Sequence, residues 1–120
     1  MDLETLRAYL LDKPGASEEY PFGPDALVLK VAGKMFALVA WQERPLAINL
    51  KCDPDFVPIL RQQYPAVQPG YHMNKRHWNT VTLDGSIPEA EVHAMIDDSY
   101  DLVVDSLPKA KRQQLRGDTA

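Results

Sequence analysis

Two periodicities alternate along the chain. Leu3, Leu6 and Leu10 share one face of a helix that their spacing predicts over Asp2 to Asp12. Asp2 is placed to cap its first turn, and Lys13-Pro14-Gly15 ends it because proline cannot continue the ladder. Ala16 to Ala26 is punctuated by Pro21, Gly23 and Pro24 and reads as an ordered loop anchored by Tyr20 and Phe22. Three strand-like runs follow. Leu27 to Val31 alternates and stops at the turn signal Ala32-Gly33-Lys34. Met35 to Trp41 is apolar on both faces, the mark of a central strand. Leu46, Ile48 and Leu50 alternate with Ala47, Asn49 and Lys51, the mark of a half-exposed one.

Asp53-Pro54-Asp55 opens a second helix expected to reach about Tyr64, with Pro58 costing a hydrogen bond or a bend near its start. Val67 to Trp78 shows no period. Asn79 to Leu83 alternates again, Val81 and Leu83 inward, Thr80 and Thr82 outward. Beyond Asp84-Gly85-Ser86, Pro88 opens a long helix whose stripe is Val92, Ile96, Tyr100, Val103 and Leu107. Pro108 separates it from a short basic helix, Lys109 to about Leu115. The order α-βββ-α-β-α-α predicts an α+β fold, an antiparallel β-sheet with flanking helices, within one domain spanning 1–120. Strand order is not readable from the pattern.

Composition adds few constraints. A chain of 120 residues, 45% apolar and 25% charged, has ordinary globular usage. At that size roughly two-thirds of the unfolded surface can be buried, so neither metal nor disulfide is needed to fold. The single cysteine, Cys52, cannot form an internal disulfide or a multi-cysteine zinc site and reads as structural. The opening Met1-Asp2-Leu3-Glu4 has no basic stretch and no apolar core of a leader, and the run Met35 to Trp41 is too short to span a bilayer. The expectation is a soluble cytoplasmic protein with no membrane partner.

Charge changes the picture more. The net charge of −4 disfavours constitutive nucleic-acid binding, which phosphate neutralisation dominates. Its distribution is uneven. Residues 26–83 hold seven Lys or Arg against three acids, residues 84–105 hold seven acids and no Lys or Arg, and Lys109, Lys111, Arg112 and Arg116 follow. Such a chain can be acidic overall and still present a basic face.

The densest stretch is Gly70-Tyr71-His72-Met73-Asn74-Lys75-Arg76-His77-Trp78-Asn79. Cations interleaved with aromatics suit phosphate contact and base stacking, or an anionic small molecule. They equally suit an irregular connection in which Tyr71 and Trp78 anchor the core and Lys75 and Arg76 are solvated. His72 and His77 are five apart, off the helical spacing, with no third ligand nearby, so no metal site is expected. Asp97, Asp101 and Asp105 recur every fourth position, with Asp98 adjacent, as an acidic ridge that reads foremost as a solvated helix face and secondarily as a loose cation site or a dock for a basic partner. The catalytic signatures G-x-S-x-G, H-E-x-x-H, G-x-x-x-x-G-K and G-x-G-x-x-G are all missing, so no catalytic residue and no cofactor is assigned.

Pro69-Gly70-Tyr71-His72, Asn74-Lys75, His77-Trp78, Val81, Leu83-Asp84-Gly85-Ser86, Pro88 and Asp98-Ser99-Tyr100 together resemble the MmcQ/YjbR family. Lys13-Pro14-Gly15-Ala16, Phe36-Ala37, Leu50-Lys51 and Leu107-Pro108 fit the same family, so the resemblance covers nearly the whole chain. It implies a CyaY-like, frataxin-like fold of the double-wing type, with projecting hairpins, and DNA as partner. Frataxin-like folds also invite iron, but frataxins carry their acids mainly on the first helix and first strand. This first helix has only Asp2, Glu4 and Asp12, so that function is not carried over.

Two functional expectations follow. The first is a DNA-binding module, with regulation among the roles open to it, contacting nucleic acid through His72, Lys75, Arg76, His77, Trp78, Lys51, Arg61, Lys109, Lys111 and Arg112. The second is a small-ligand or protein-binding domain without catalysis that uses the loop from His72 to Trp78. No protein partner is identifiable from the sequence.

Overall fold

The computed structural model describes residues 1–42, 44–70 and 73–117. Its elements are α1 (Leu3–Leu11), β1 (Ala16–Glu19), β2 (Ala26–Val31), β3 (Lys34–Ala40), β4 (Ala47–Lys51), α2 (Val57–Gln63), β5 (Val67–Pro69), β6 (Trp78–Thr82), α3 (Glu89–Asp105) and α4 (Lys109–Leu115). The strands form one antiparallel sheet in the order β1-β2-β3-β4-β6-β5. The α+β class is as expected.

Alternation sorts the sheet into two faces. On the helix side Leu27, Leu29, Ala37, Val39, Ile48, Leu50 and Val81 join Leu6 and Leu10 of α1 and Val92, Ile96, Tyr100, Val103 and Val104 of α3 in one core, with Leu60 of α2 packed against it. On the other side the register lines up Val28, Leu38, Asn49, Thr80 and Gln68 in a row across five strands. α3 carries more of the core than its five-residue stripe suggests, because Met95, Ser99 and Val104 are buried as well.

Two strands were hidden in segments read as loop and as irregular. β1 is Ala-Ser-Glu-Glu, poor strand formers, and pairs on one side only. Its Glu18 is held by Arg7 of α1 and its Glu19 by Lys30 of β2, so ion pairs replace an apolar pattern. β5 is three residues ending in a proline, tolerable only at a sheet edge, which is where it lies. Tyr20 and Phe22 do not anchor the connection after β1; they are exposed, and Trp41 does so instead by donating Nε1–H to the Pro24 carbonyl at 2.8 Å.

Pro58 is explained by where its helix begins. Asp53 accepts at its side chain from the Asp55 amide and at its carbonyl from the amides of Phe56 and Val57, closing a separate turn. α2 then starts at Val57, so Pro58 sits in the first helical positions, whose amides have no partner to lose.

Ser99 joins the layers. The β3–β4 register runs to Ala37 opposite Leu50, and the next pair would be Phe36 opposite Lys51. The fully buried Ser99 hydroxyl takes that position, donating to the Phe36 carbonyl at 2.6 Å and accepting from the Lys51 amide at 2.9 Å. β4 thereby parts from β3 while staying paired with β6, through Lys51 opposite Trp78 and the Cys52 amide on the His77 carbonyl at 2.7 Å.

Candidate nucleic-acid interface

Register places the tips of two hairpins at one end of the sheet. β2 and β3 turn over after the pair Val31–Lys34. β5 leaves the sheet after Pro69 opposite Asn79, and β6 re-enters it at Trp78 opposite Lys51. Since Ala37 faces Leu50, the Lys34 end of β3 is also the Lys51 end of β4. Lys34, Lys51 and the connection carrying Lys75 and Arg76 therefore share that end. α3 also finishes there, with Lys34 Nζ donating to Ser106 Oγ at 3.1 Å.

The connection before β6 is built by local hydrogen bonds. Asn74 accepts at Oδ1 from the Arg76 amide at 3.0 Å, and its carbonyl receives the amides of His77 and Trp78 at 3.1 and 2.9 Å. This compact Asx-type turn lifts Lys75 and Arg76 into solvent. Lys75 Nζ bonds the Gly70 carbonyl at 3.3 Å, leaving two donors for other acceptors. Gly70 itself is required. A Cβ there would lie 2.9 Å from the Trp78 carbonyl oxygen and from Trp78 Cβ. Trp78, half-buried, and Lys51 lie side by side on the sheet face away from the helices. His77 is half-buried, whereas His72 and Tyr71 lie outside the described residues.

Arg61 differs from the other cations named from sequence. Its guanidinium points in from α2: Nε donates to Asn79 Oδ1 at 2.8 Å, and Nη2 donates to the Trp78 carbonyl at 3.2 Å and to the Lys75 carbonyl. It holds the turn in place and is not presented to solvent as a phosphate contact. Arg112 is committed likewise, its Nη1 bonding the Leu107 carbonyl at 2.9 Å at the C-terminal end of α3. Lys109 and Lys111 are exposed on α4. Lys51, Arg76, Lys109 and Lys111 make no side-chain hydrogen bond or ion pair with another described residue.

The acids of α3 divide between its two flanks rather than forming one ridge. Asp97 faces α1, where it receives the Tyr9 hydroxyl at 2.7 Å and pairs with Lys13. Burial works against its charge, but Lys13 and Tyr9 outweigh it and hold the carboxyl below its ordinary range. Tyr9 is in turn pushed up to about 12 by burial and by that bond. Asp98, Asp101 and Asp105 face α2. Burial, then the like charges of Asp101 and Asp97, raise the Asp98 carboxyl. Burial, Asp53 and Asp98 raise the Cys52 thiol against the opposing pull of Arg61, so Cys52 is a poor nucleophile. His93 stacks on the Tyr9 ring at 3.9 Å between centroids. Among the described residues no three His, Cys, Asp or Glu side chains are grouped to hold a metal ion, and no helix is long and apolar enough to cross a membrane.

The YjbR family model matches residues 11–102. The chain belongs to the YjbR family. It is 39% identical over 115 residues to the protein YjbR of Escherichia coli (strain K12), covering 96% of this chain and 98% of that one. It is 41% identical over 113 residues to the protein YbdF of Escherichia coli O157:H7, covering 94% and 93%. The crystal structure of Deinococcus radiodurans protein DR2400, domain DUF419, superposes with a TM-score of 0.90 at 38% identity over 96% of this chain and 88% of that one. The YjbR match takes in both hairpins, Arg61 and Ser99, and stops short of the α4 cations Lys109, Lys111 and Arg112.

Proposed function

We propose that this YjbR-family chain is a nucleic-acid-binding module that holds duplex DNA at the end of the sheet where the β2–β3 and β5–β6 hairpins project as two wings. The observation that carries this reading is the shared position of half-buried Lys51 and exposed Lys75 and Arg76 beside Trp78, on two paired strands and the turn that leads into one of them. Cations grouped on one end neutralise successive phosphates, whereas scattered ones do not. Lys51, Lys75 and Arg76 are the phosphate contacts. Trp78 offers an apolar face to a base or sugar, and His77 adds a donor beside it. Lys109 and Lys111 extend the basic surface along α4. Arg61 is a positioning residue, because it fixes the carbonyls of Lys75 and Trp78 from beneath. A chain of net charge −4 bearing such a patch binds weakly and with strong salt dependence.

Fluorescence anisotropy with a labelled mixed-sequence duplex tests this, at about 50 and about 150 mM salt. The protein is expected to bind at the lower salt and weaken steeply at the higher. Lys75→Ala/Arg76→Ala is expected to bind roughly tenfold or more weakly, with a salt slope shallower by about two counterions. No binding at low salt, or a double variant with the parental affinity and slope, would overturn the proposal.

A further inference from the structure

α2 and α3 leave between them a groove of about 460 Å³. Its floor is apolar, formed by Leu60 of α2 and Leu102 of α3 with the Cys52 side chain at one end. Phe56 forms one wall and is 58% exposed; Ile59, one helical turn on, is 53% exposed. Exposed apolar side chains next to a concavity with a polar rim are a mark of interaction surfaces. The rim is acidic. Asp53, Asp98, Asp101 and Asp105 all line the groove; among the described residues only Asp105 makes an ion pair, with Arg116 at 2.7 Å, whose charge also acts on Asp101. Asp98 and Asp101 have no hydrogen-bond or ion-pair partner among the described residues.

We infer that the α2–α3 groove is a docking site for a basic amphipathic helix of another protein. Charge complementarity selects a cationic occupant, and the apolar floor selects one that also brings hydrophobic side chains. Asp98, Asp101 and Asp105 stand at i, i+3 and i+7 on α3, a rail of roughly 10 Å. Lys or Arg at the same spacing on a helix laid along the groove meets each in turn, with the residues between them reaching Leu60, Leu102 and Phe56. Burial, then repulsion from Asp101 and Asp97, raises the Asp98 carboxyl, and an arriving cation offsets the repulsion. A second copy of this chain does not fit the description. Its exposed Lys75 and Arg76 lie on a turn and not on a helix, and its basic helix α4, which carries Lys109 and Lys111, has one large apolar residue, Leu115, turned inward against Gly15. A bare metal ion gains nothing from Phe56 and Leu102 and has no three-carboxylate cluster to enter.

The site carries its own reporter, because Cys52 is the chain's one cysteine. The probe is a labelled Leu/Lys peptide of about 14 residues, four helical turns with its leucines on one face, compared with a scrambled peptide of identical composition. The amphipathic peptide is expected to bind at least about tenfold more tightly than the scrambled one and to slow alkylation of Cys52 by iodoacetamide several-fold. Phe56→Ser, at an exposed position that leaves the core intact, and Asp98→Asn/Asp101→Asn are each expected to remove most of that difference. Equal binding of the two peptides, an alkylation rate unchanged by the peptide, or parental affinity in Phe56→Ser would overturn the inference.

Discussion

Arg61→Ala is expected to cost about 2–4 kcal/mol of stability, because hydrogen bonds to a charged donor are each worth more than neutral ones and the acceptors left behind are partly shielded from water. The guanidinium meets Asn79, which is 2% exposed, and two carbonyls of the turn before β6. No other described side chain reaches those two carbonyls, although the Trp78 carbonyl also accepts from the Gly70 amide at 3.0 Å. Urea denaturation followed by circular dichroism would report the loss as a lower midpoint with an unchanged slope. Arg61→Lys should recover only part of it, since an ammonium cannot reproduce the fork that serves Asn79 and Trp78 together. The same variant separates positioning from contact. If Arg61 acts only from beneath the turn, Arg61→Lys should alter DNA affinity far more than the salt slope. A direct phosphate contact would keep both.

Ser99→Ala is expected to lose a similar amount, about 2–4 kcal/mol, although it deletes a single oxygen. That oxygen serves two backbone groups on different strands, the buried Phe36 carbonyl and the part-buried Lys51 amide. Alanine leaves that acceptor and that donor without the hydroxyl that bridged them. Either the penalty stands, or β3 closes on β4 to form the missing pair. Hydrogen exchange at the Lys51 amide distinguishes these outcomes. Fast exchange marks an orphaned donor. Slow exchange with little loss of stability would mean that the strands have re-paired and Lys51 has been drawn away from Trp78.

These two side chains also show where sequence reading stops. Element type was legible wherever an apolar period was sustained: the α3 stripe from Val92 to Val103, the doubly apolar β3 and the alternation of β4. It failed for β1 and β5, where strand identity comes from pairing with a neighbour and not from the strand's own residues. Pro58 looks misplaced only if Asp53 caps α2; Asp53 instead caps a separate turn before it. In the candidate interface, the block from Asn74 to Trp78 was visible as an unusual density of cations and aromatics. The division of labour within it was not. Lys75 and Arg61 are both basic residues of a mixed segment in sequence, yet one is solvated and the other is fastened to Asn79. Nothing local in either residue announces the difference, which depends on α2 crossing beneath the turn. The acidic rail shows the same limit. Asp97, Asp101 and Asp105 have the better helical spacing, but α1 claims Asp97, and the groove gathers Asp98 instead.

Two surfaces of opposite charge lie at one end of the fold. The hairpin end offers cations to phosphate, and the α2–α3 groove offers carboxylates to a basic helix. Lys51 and Cys52 are adjacent in sequence, yet Lys51 lies beside Trp78 on the outer face and Cys52 lines the groove. The break that Ser99 makes between β3 and β4 is where the chain passes from one surface to the other.

The most direct test of the central claim is a titration of the isotopically labelled protein with a short mixed-sequence duplex, read by amide chemical-shift changes along the whole chain. The expected result is a contiguous set of perturbed amides at Ala32–Lys34, Lys51, Met73–Trp78 and the first turn of α4, with the amides of Ala26, Ala40 and Ala47 at the opposite end of the sheet unmoved. Perturbations centred on that opposite end, or none at a salt concentration low enough for phosphate contacts to persist, would contradict it.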